Sequence, residues 1–155
     1  MITIDIPDFG PLELEHLVMD YNGTMAIDGD LIEGVANRLE SLSSHLKLHV
    51  ITADTFGKVK AQMKGVPCSV EVLEPGNQDV AKKEFVEKLG ATRVMAVGNG
   101  RNDAAMLRTA RLGVVVIQEE GAAIASLTAA DVATPTINDA LDLLLNPLRL
   151  VATLR

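Results

Sequence analysis

Leu17-Val18-Met19-Asp20-Tyr21-Asn22-Gly23-Thr24 runs from apolar residues into a carboxylate and then into turn-forming residues. The apolar part reads as a strand, and Asp20 stands at its carboxyl end. Two readings of that Asp are open. It marks a strand-to-turn junction, where Asp, Asn and Gly are expected in any case. Alternatively it is a nucleophile toward phosphorus, which splits phosphoryl transfer into two steps through an acyl phosphate. Gly23 would then let the backbone turn back so that main-chain N–H groups face the phosphate oxygens.

Upstream, Ile2, Ile4 and Ile6 alternate with polar residues, and Pro7-Asp8-Phe9-Gly10-Pro11 interrupts them. Leu12 to Met19 resumes as a strand, so a hairpin is predicted at the start. Downstream, Gly23 and the pair Asp28-Gly29 predict a short flap of two small strands over 23–32. Apolar residues at 35, 36, 39, 42 and 46 then keep a helical period over 33–45.

The remainder alternates. Strands are expected near 47–51, 69–73, 93–97 and 112–117, and helices near 56–64, 77–90, 102–110, 121–127 and 136–146. Such alternation predicts an α/β fold: a three-layer, Rossmann-like, mostly parallel sheet with helices on both faces. At 155 residues, without a repeat, low-complexity tract or linker, the chain reads as one domain spanning 1–155.

Composition narrows the function classes. Hydrophobic residues make up 48% of the chain, with one Tyr, three Phe and no Trp, so the core is aliphatic, as suits a parallel sheet under helices. The net charge of −7, with no basic tract, gives no electrostatic footprint for nucleic acid. Cys68 is alone, and His16, His45 and His49 match no zinc spacing. No signal-peptide pattern opens the chain and no run of about 18 apolar residues occurs, so a cytoplasmic protein without a membrane span is expected.

In a sheet of this kind ligands sit beyond the carboxyl ends of the strands. Thr52 there either donates its hydroxyl to a phosphoryl oxygen or caps the next helix, a role Asp54 and Thr55 could also take. Lys82 shares a helical face with Phe85, Val86 and Leu89, which points it inward toward the Asp20 region unless it snorkels to water. In Gly98-Asn99-Gly100-Arg101-Asn102-Asp103, Asn99 and Asp103 can offer oxygens to a hard cation, or Asn102 or Asp103 simply caps a helix. A phosphoryl group needs a nucleophile, donors to its oxygens and positive charge, and the four segments together supply them. Mg²⁺ held by Asp20 and Asp103 would let the two anions approach.

These residues resemble the motifs of the haloacid dehalogenase superfamily, and within it the catalytic domains of P-type ATPases. The similarity runs in pieces from about residue 15 to residue 135. Asp20-Tyr21-Asn22-Gly23-Thr24 is similar to the first motif, Ile51-Thr52 to the second, Lys82 to the third, and Val97-Gly98-Asn99-Gly100-Arg101-Asn102-Asp103-Ala104 to the Gly-Asp-Gly-x-Asn-Asp-Ala run of the pumps. More narrowly, the chain looks like small prokaryotic proteins described as soluble and P-type ATPase-like. The resemblance implies a Mg²⁺-dependent phosphohydrolase or phosphotransferase acting through aspartyl phosphate on Asp20. It places phosphate against Gly23, Thr52, Ala53 and Lys82, and Mg²⁺ on Asp20, Asn22 (through its carbonyl), Asn99 and Asp103.

The short spans from Asp20 to Thr52 and from Thr52 to Lys82 leave no room for the cap domain that larger members carry. An open site implies a homo-oligomer, a macromolecular substrate or a partner protein acting as lid. Two residues depart from the pattern. Asn22 stands where phosphatases carry an acid–base Asp, which costs about 10²–10⁴-fold in rate. Asn99 stands where a metal-binding Asp is usual and lacks the charge that favours a hard cation. A slow enzyme is expected. The alternative is a degenerate regulator that binds phosphate or a partner without turnover, and a receiver-like phosphorylation domain ranks below both.

Overall fold

The fold is that of a computed structural model, which describes residues 1–54 and 57–155. Two sequence expectations fall outside the described residues: Thr55 as a helix cap and Phe56 as the start of a helix. The chain opens with β1 (Ile2–Ile4) and β2 (Leu12–Leu14), an antiparallel hairpin in which Thr3 faces Glu13. β3 (His16–Asp20) follows, and then β4 (Ala26–Ile27) and β5 (Asp30–Leu31) form the flap. The flap turns at Asp28 (φ 53°) and Gly29 (φ 85°), the pair of left-handed residues that a two-residue hairpin turn requires.

Next come α1 (Val35–Ser43), β6 (Lys47–Thr52), α2 (Lys58–Gln62), β7 (Ser69–Val72) and α3 (Gln78–Leu89). β8 (Val94–Gly98) leads through a tight turn at Arg101–Asp103 into α4 (Ala104–Thr109) and β9 (Leu112–Val116). The chain closes with α5 (Ile124–Leu127), β10 (Val132–Thr134), α6 (Ile137–Leu145) and α7 (Pro147–Leu154). The central six-stranded sheet has the order β10-β9-β8-β3-β6-β7, with every neighbouring pair parallel.

Strand alternation divides the core between the two faces. Leu17 and Met19 join Leu48, Val50, Met95, Val97, Val114 and Val116 on the side of α1 and α6, with the opening hairpin. Val18 joins Ile51, Ala96 and Val115 on the side of α3 and α4, with Val86, Met106 and Leu107. Each such Val, Leu, Ile or Met side chain contributes about 1.5–3 kcal/mol by leaving water. All five β3 positions are buried, so its apolar run needs no polar alternation. Asp20 has the same pleat parity as Val18 and therefore emerges on the α3 side.

The expected order of strands and helices holds, with three differences. Leu12 to Met19 is two strands rather than one. At Glu15 the N–H goes to the Arg93 carbonyl (2.9 Å) and the carbonyl receives the Lys47 N–H (2.9 Å), so the chain leaves the hairpin there and enters the main sheet. β10 is too short, at three residues, to show a periodic pattern. α7 begins at Pro147, which occupies the first helical turn, where its missing N–H costs nothing. Among the described residues no helix is long and apolar enough to cross a membrane.

Candidate active site

The carboxyl end of β3 places Asp20 opposite α3, and the helical face of Val86 places Lys82 beneath it. Lys82 is 1% exposed. Its ammonium donates to Asp20 Oδ1 and to Asp103 Oδ1, both at 2.7 Å. The inward reading of Lys82 holds and the snorkelling one does not. Burial opposes the charge on Lys82, but the two carboxylates outweigh it and raise its pKa.

One ammonium cannot neutralise two buried carboxylates, and the excess shows at Asp20. Burial first, and then the charge of Asp103, push Asp20 up to about 7 against the pull of Lys82 and Thr24.

Asp103 does not face the cleft. It is fully buried, and its Oδ2 receives the N–H groups of Asn99 (3.0 Å) and Gly100 (2.9 Å) while Oδ1 receives Lys82. Asp103 was expected to share a cation with Asp20, and in this structure the Lys82 ammonium stands between the two carboxylates. Gly98 makes the arrangement possible: a Cβ there would lie 2.5 Å from Asp103 Cγ.

Thr52 accepts the Asp54 N–H at 3.0 Å, while Asp54 Oδ2 accepts the Val59 N–H of α2 at 3.0 Å. The contact to the first turn of α2 is therefore made by Asp54, and the Thr52 hydroxyl retains its own proton to donate. Gly23 makes the expected turn. Its φ is 79°, as a turn-back requires, but its N–H goes to the Ala26 carbonyl at 2.8 Å instead of into the cleft. What Gly23 provides is space, since a Cβ would lie 2.1 Å from the Glu120 carboxylate and 2.6 Å from the Asn99 amide.

Asp20, Asn22, Thr52, Ala53, Lys82 and Asn99 line one cleft of about 240 Å³, together with Gln78, Gly100, Asn102 and Glu120. That volume suits a phosphoryl-sized group more than a whole drug-sized ligand. A larger depression of about 500 Å³ adjoins it through Gln78 and Asn102.

Three further residues shape the cleft. The buried Thr24 hydroxyl lies 3.3 Å from both Asp20 Oδ2 and Asn99 Oδ1, so those two oxygens face a common point. The Gln118 amide donates to the Gly23 and Thr24 carbonyls at 2.9 Å each, and its oxygen receives the Ile137 N–H at 2.9 Å. Glu120 brings a second cleft-facing carboxylate. Thr24 was signalled by its place in the Asp20 segment; nothing local in the sequence marks Gln118 or Glu120. Among the described residues no three His, Cys, Asp or Glu side chains form a ready-made metal cluster.

No protein-family model matches the chain. The uncharacterized protein MJ0073 of Methanocaldococcus jannaschii is 43% identical over 84 residues, which cover 52% of this chain and 90% of that protein. The phospholipid-transporting ATPase tat-1 of Caenorhabditis elegans is 36% identical over 91 residues, 57% of this chain but 8% of the ATPase. Among solved structures, 3-deoxy-D-manno-octulosonate 8-phosphate phosphatase from Moraxella catarrhalis, in complex with magnesium ion, phosphate ion and KDO, superposes with a TM-score of 0.69. It is 18% identical, over 92% of this chain and 94% of that one. A Legionella pneumophila protein described as a HAD superfamily (subfamily III A) hydrolase superposes with a TM-score of 0.73 at 18% identity, over 92% of this chain and 87% of that one. The chain thus belongs to one family with MJ0073, and its fold is that of the haloacid dehalogenase superfamily.

Proposed function

We propose that the chain is a Mg²⁺-dependent phosphatase-type hydrolase that takes the phosphoryl group of a phosphorylated substrate onto Asp20. The observation that carries this reading is the buried Lys82 ammonium at 2.7 Å from Asp20, at the floor of a cleft that Thr52 and Ala53 also line. A carboxylate oxygen of Asp20 attacks phosphorus as the ester P–O bond breaks, giving an aspartyl phosphate that water then hydrolyses. Lys82 stays protonated and offsets the charge on the phosphoryl oxygens, while the Thr52 hydroxyl and the Ala53 N–H donate to them. The Asp20 carboxylate and the Asn99 amide oxygen, with the Asn22 carbonyl, are the groups that would hold Mg²⁺. When bound, it supplies charge neutralisation between the two anions.

The magnesium and phosphate found with the Moraxella phosphatase support this assignment by likeness of fold. Asn22 cannot exchange a proton as an Asp would, and a carboxamide at Asn99 binds a hard cation less strongly, so turnover is expected to be slower than with an Asp at both positions. The test is release of p-nitrophenol from p-nitrophenyl phosphate with Mg²⁺. The wild-type chain is expected to turn over and Asp20→Asn to be inactive; equal activity in both would remove Asp20 from the reaction. The same two carboxamides favour a second reading, a regulator that binds phosphate without turnover. Its signature is binding of beryllofluoride with Mg²⁺ and no release of phosphate from any ester.

A further inference from the structure

We propose that Glu120 is the proton-transfer residue of this site and takes over the role that Asn22 cannot fill. The inference rests on the phosphatase reading given above. Among the described residues that line the cleft, the carboxylates are Asp20 and Glu120, and Asp20 is engaged by Lys82. Glu120 Oε2 lies 2.1 Å from the point a Cβ on Gly23 would occupy, and both Asn99 amide atoms fall within 2.9 Å of that point. The carboxylate therefore sits over Gly23, one residue along the chain from Asn22. Glu120 is exposed, so its carboxylate is open to solvent while it lines the cleft.

The segment carrying Glu120 is tethered on both sides. Gln118 donates to the Gly23 and Thr24 carbonyls, the Asn99 amide donates to the Gly121 carbonyl at 3.1 Å, and the Ala123 N–H goes to the Asn99 carbonyl at 2.9 Å. Glu120 is held between fixed points on the Asp20 loop and on the loop after β8. Such pre-organisation is what proton transfer in a transition state needs.

The proton count closes over the two steps. In the first, Asp20 forms its bond to phosphorus, the ester P–O bond breaks, and protonated Glu120 gives its proton to the departing alkoxide. In the second, the Glu120 carboxylate takes a proton from water as the water oxygen bonds to phosphorus and the Asp20–phosphorus bond breaks. Phosphate and the free Asp20 carboxylate result, and Glu120 is again protonated for the next substrate.

The experiment compares wild type, Glu120→Gln and Glu120→Ala with p-nitrophenyl phosphate and Mg²⁺, reading the burst of p-nitrophenol and the steady rate separately. p-Nitrophenolate leaves without a proton, so Glu120→Gln should keep the burst while its steady rate falls about 10²-fold or more. Formate should restore part of the lost rate in Glu120→Ala. A Glu120→Gln chain with the wild-type steady rate, or one that loses burst and rate together without formate rescue of Glu120→Ala, overturns the proposal. A wild-type chain that forms no phosphoenzyme overturns the phosphatase reading itself, and the proposal with it.

Discussion

Lys82 Nζ meets Asp103 Oδ1 at 2.7 Å, so a fully buried carboxylate fixes the side chain that faces the cleft from behind. Removing the cation leaves the Asp20 and Asp103 carboxylates buried without a counter-charge. Lys82→Met should cost about 3–5 kcal/mol of stability near neutral pH. Without Lys82, Asp20 binds a proton more readily folded than unfolded, so part of the lost stability should return as pH falls. Urea unfolding of the variant at two pH values checks this; a loss of stability independent of pH would point to packing instead.

Asp20 gives a second pH signature. Its pKa is raised to about 7 from an ordinary 3.8, so the folded state holds the proton more tightly than the unfolded chain. A raised folded pKa favours folding below the unfolded value, and that contribution is lost as pH rises through the folded value. Asp20→Asn should therefore be more stable than wild type above about pH 7, by on the order of 1–2 kcal/mol, while losing phosphoryl acceptance. Thermal unfolding of both proteins across pH tests the pair of effects. A destabilised Asp20→Asn would mean that the carboxylate, as an ion, holds the fold together.

Gly98 gives a test of the route from loop geometry to chemistry. Its added methyl would fall 2.5 Å from Asp103 Cγ, and Asp103 cannot yield without releasing Lys82 and two loop N–H groups. Gly98→Ala should cut the rate of phosphoenzyme formation at least about tenfold, because displaced electrostatic groups lose their effect over short distances. Rapid-quench measurement of that step decides it. An unchanged rate would show that Asp103 is not needed to place Lys82.

Most strand and helix positions were legible because apolar periodicity is local. The inward facing of Lys82 followed from Val86 and Leu89 on the same helix face. The role of Asp103 did not, since its turning back onto the 99–100 backbone depends on a methyl-sized gap at Gly98. Gln118 lies 95 residues from Gly23 in sequence, and Glu120 reaches the cleft by the same long-range closure, so no local pattern could reveal either. The turn-back expected at Gly23 is present, and the N–H of Gly23 itself closes the flap onto the Ala26 carbonyl, a pairing that no local pattern shows. β10 and α7 were missed for want of length and because Pro147 reads equally as an end or a beginning.

Away from the cleft, His16 Nδ1 and His49 Nε2 lie 3.0 Å apart across β3 and β6, a contact that requires one ring to accept. Burial first, and then the charge of His16, lower His49 from 6.5 to about 4. The unfolded chain then binds more protons between those values, so stability falls as pH drops from about 6.5 to about 4. His49→Gln should flatten that limb of the acid denaturation curve. An unaltered limb would place the acid sensitivity elsewhere.

Covalent trapping tests most directly whether Asp20 carries the phosphoryl group. The chain is incubated with Mg²⁺ and acetyl phosphate, quenched, reduced with borohydride and digested for mass spectrometry. Asp20 should be converted to homoserine in the peptide carrying Tyr21 and Asn22, with none formed in Asp20→Asn. Unmodified Asp20 in a chain that still releases phosphate would contradict that role.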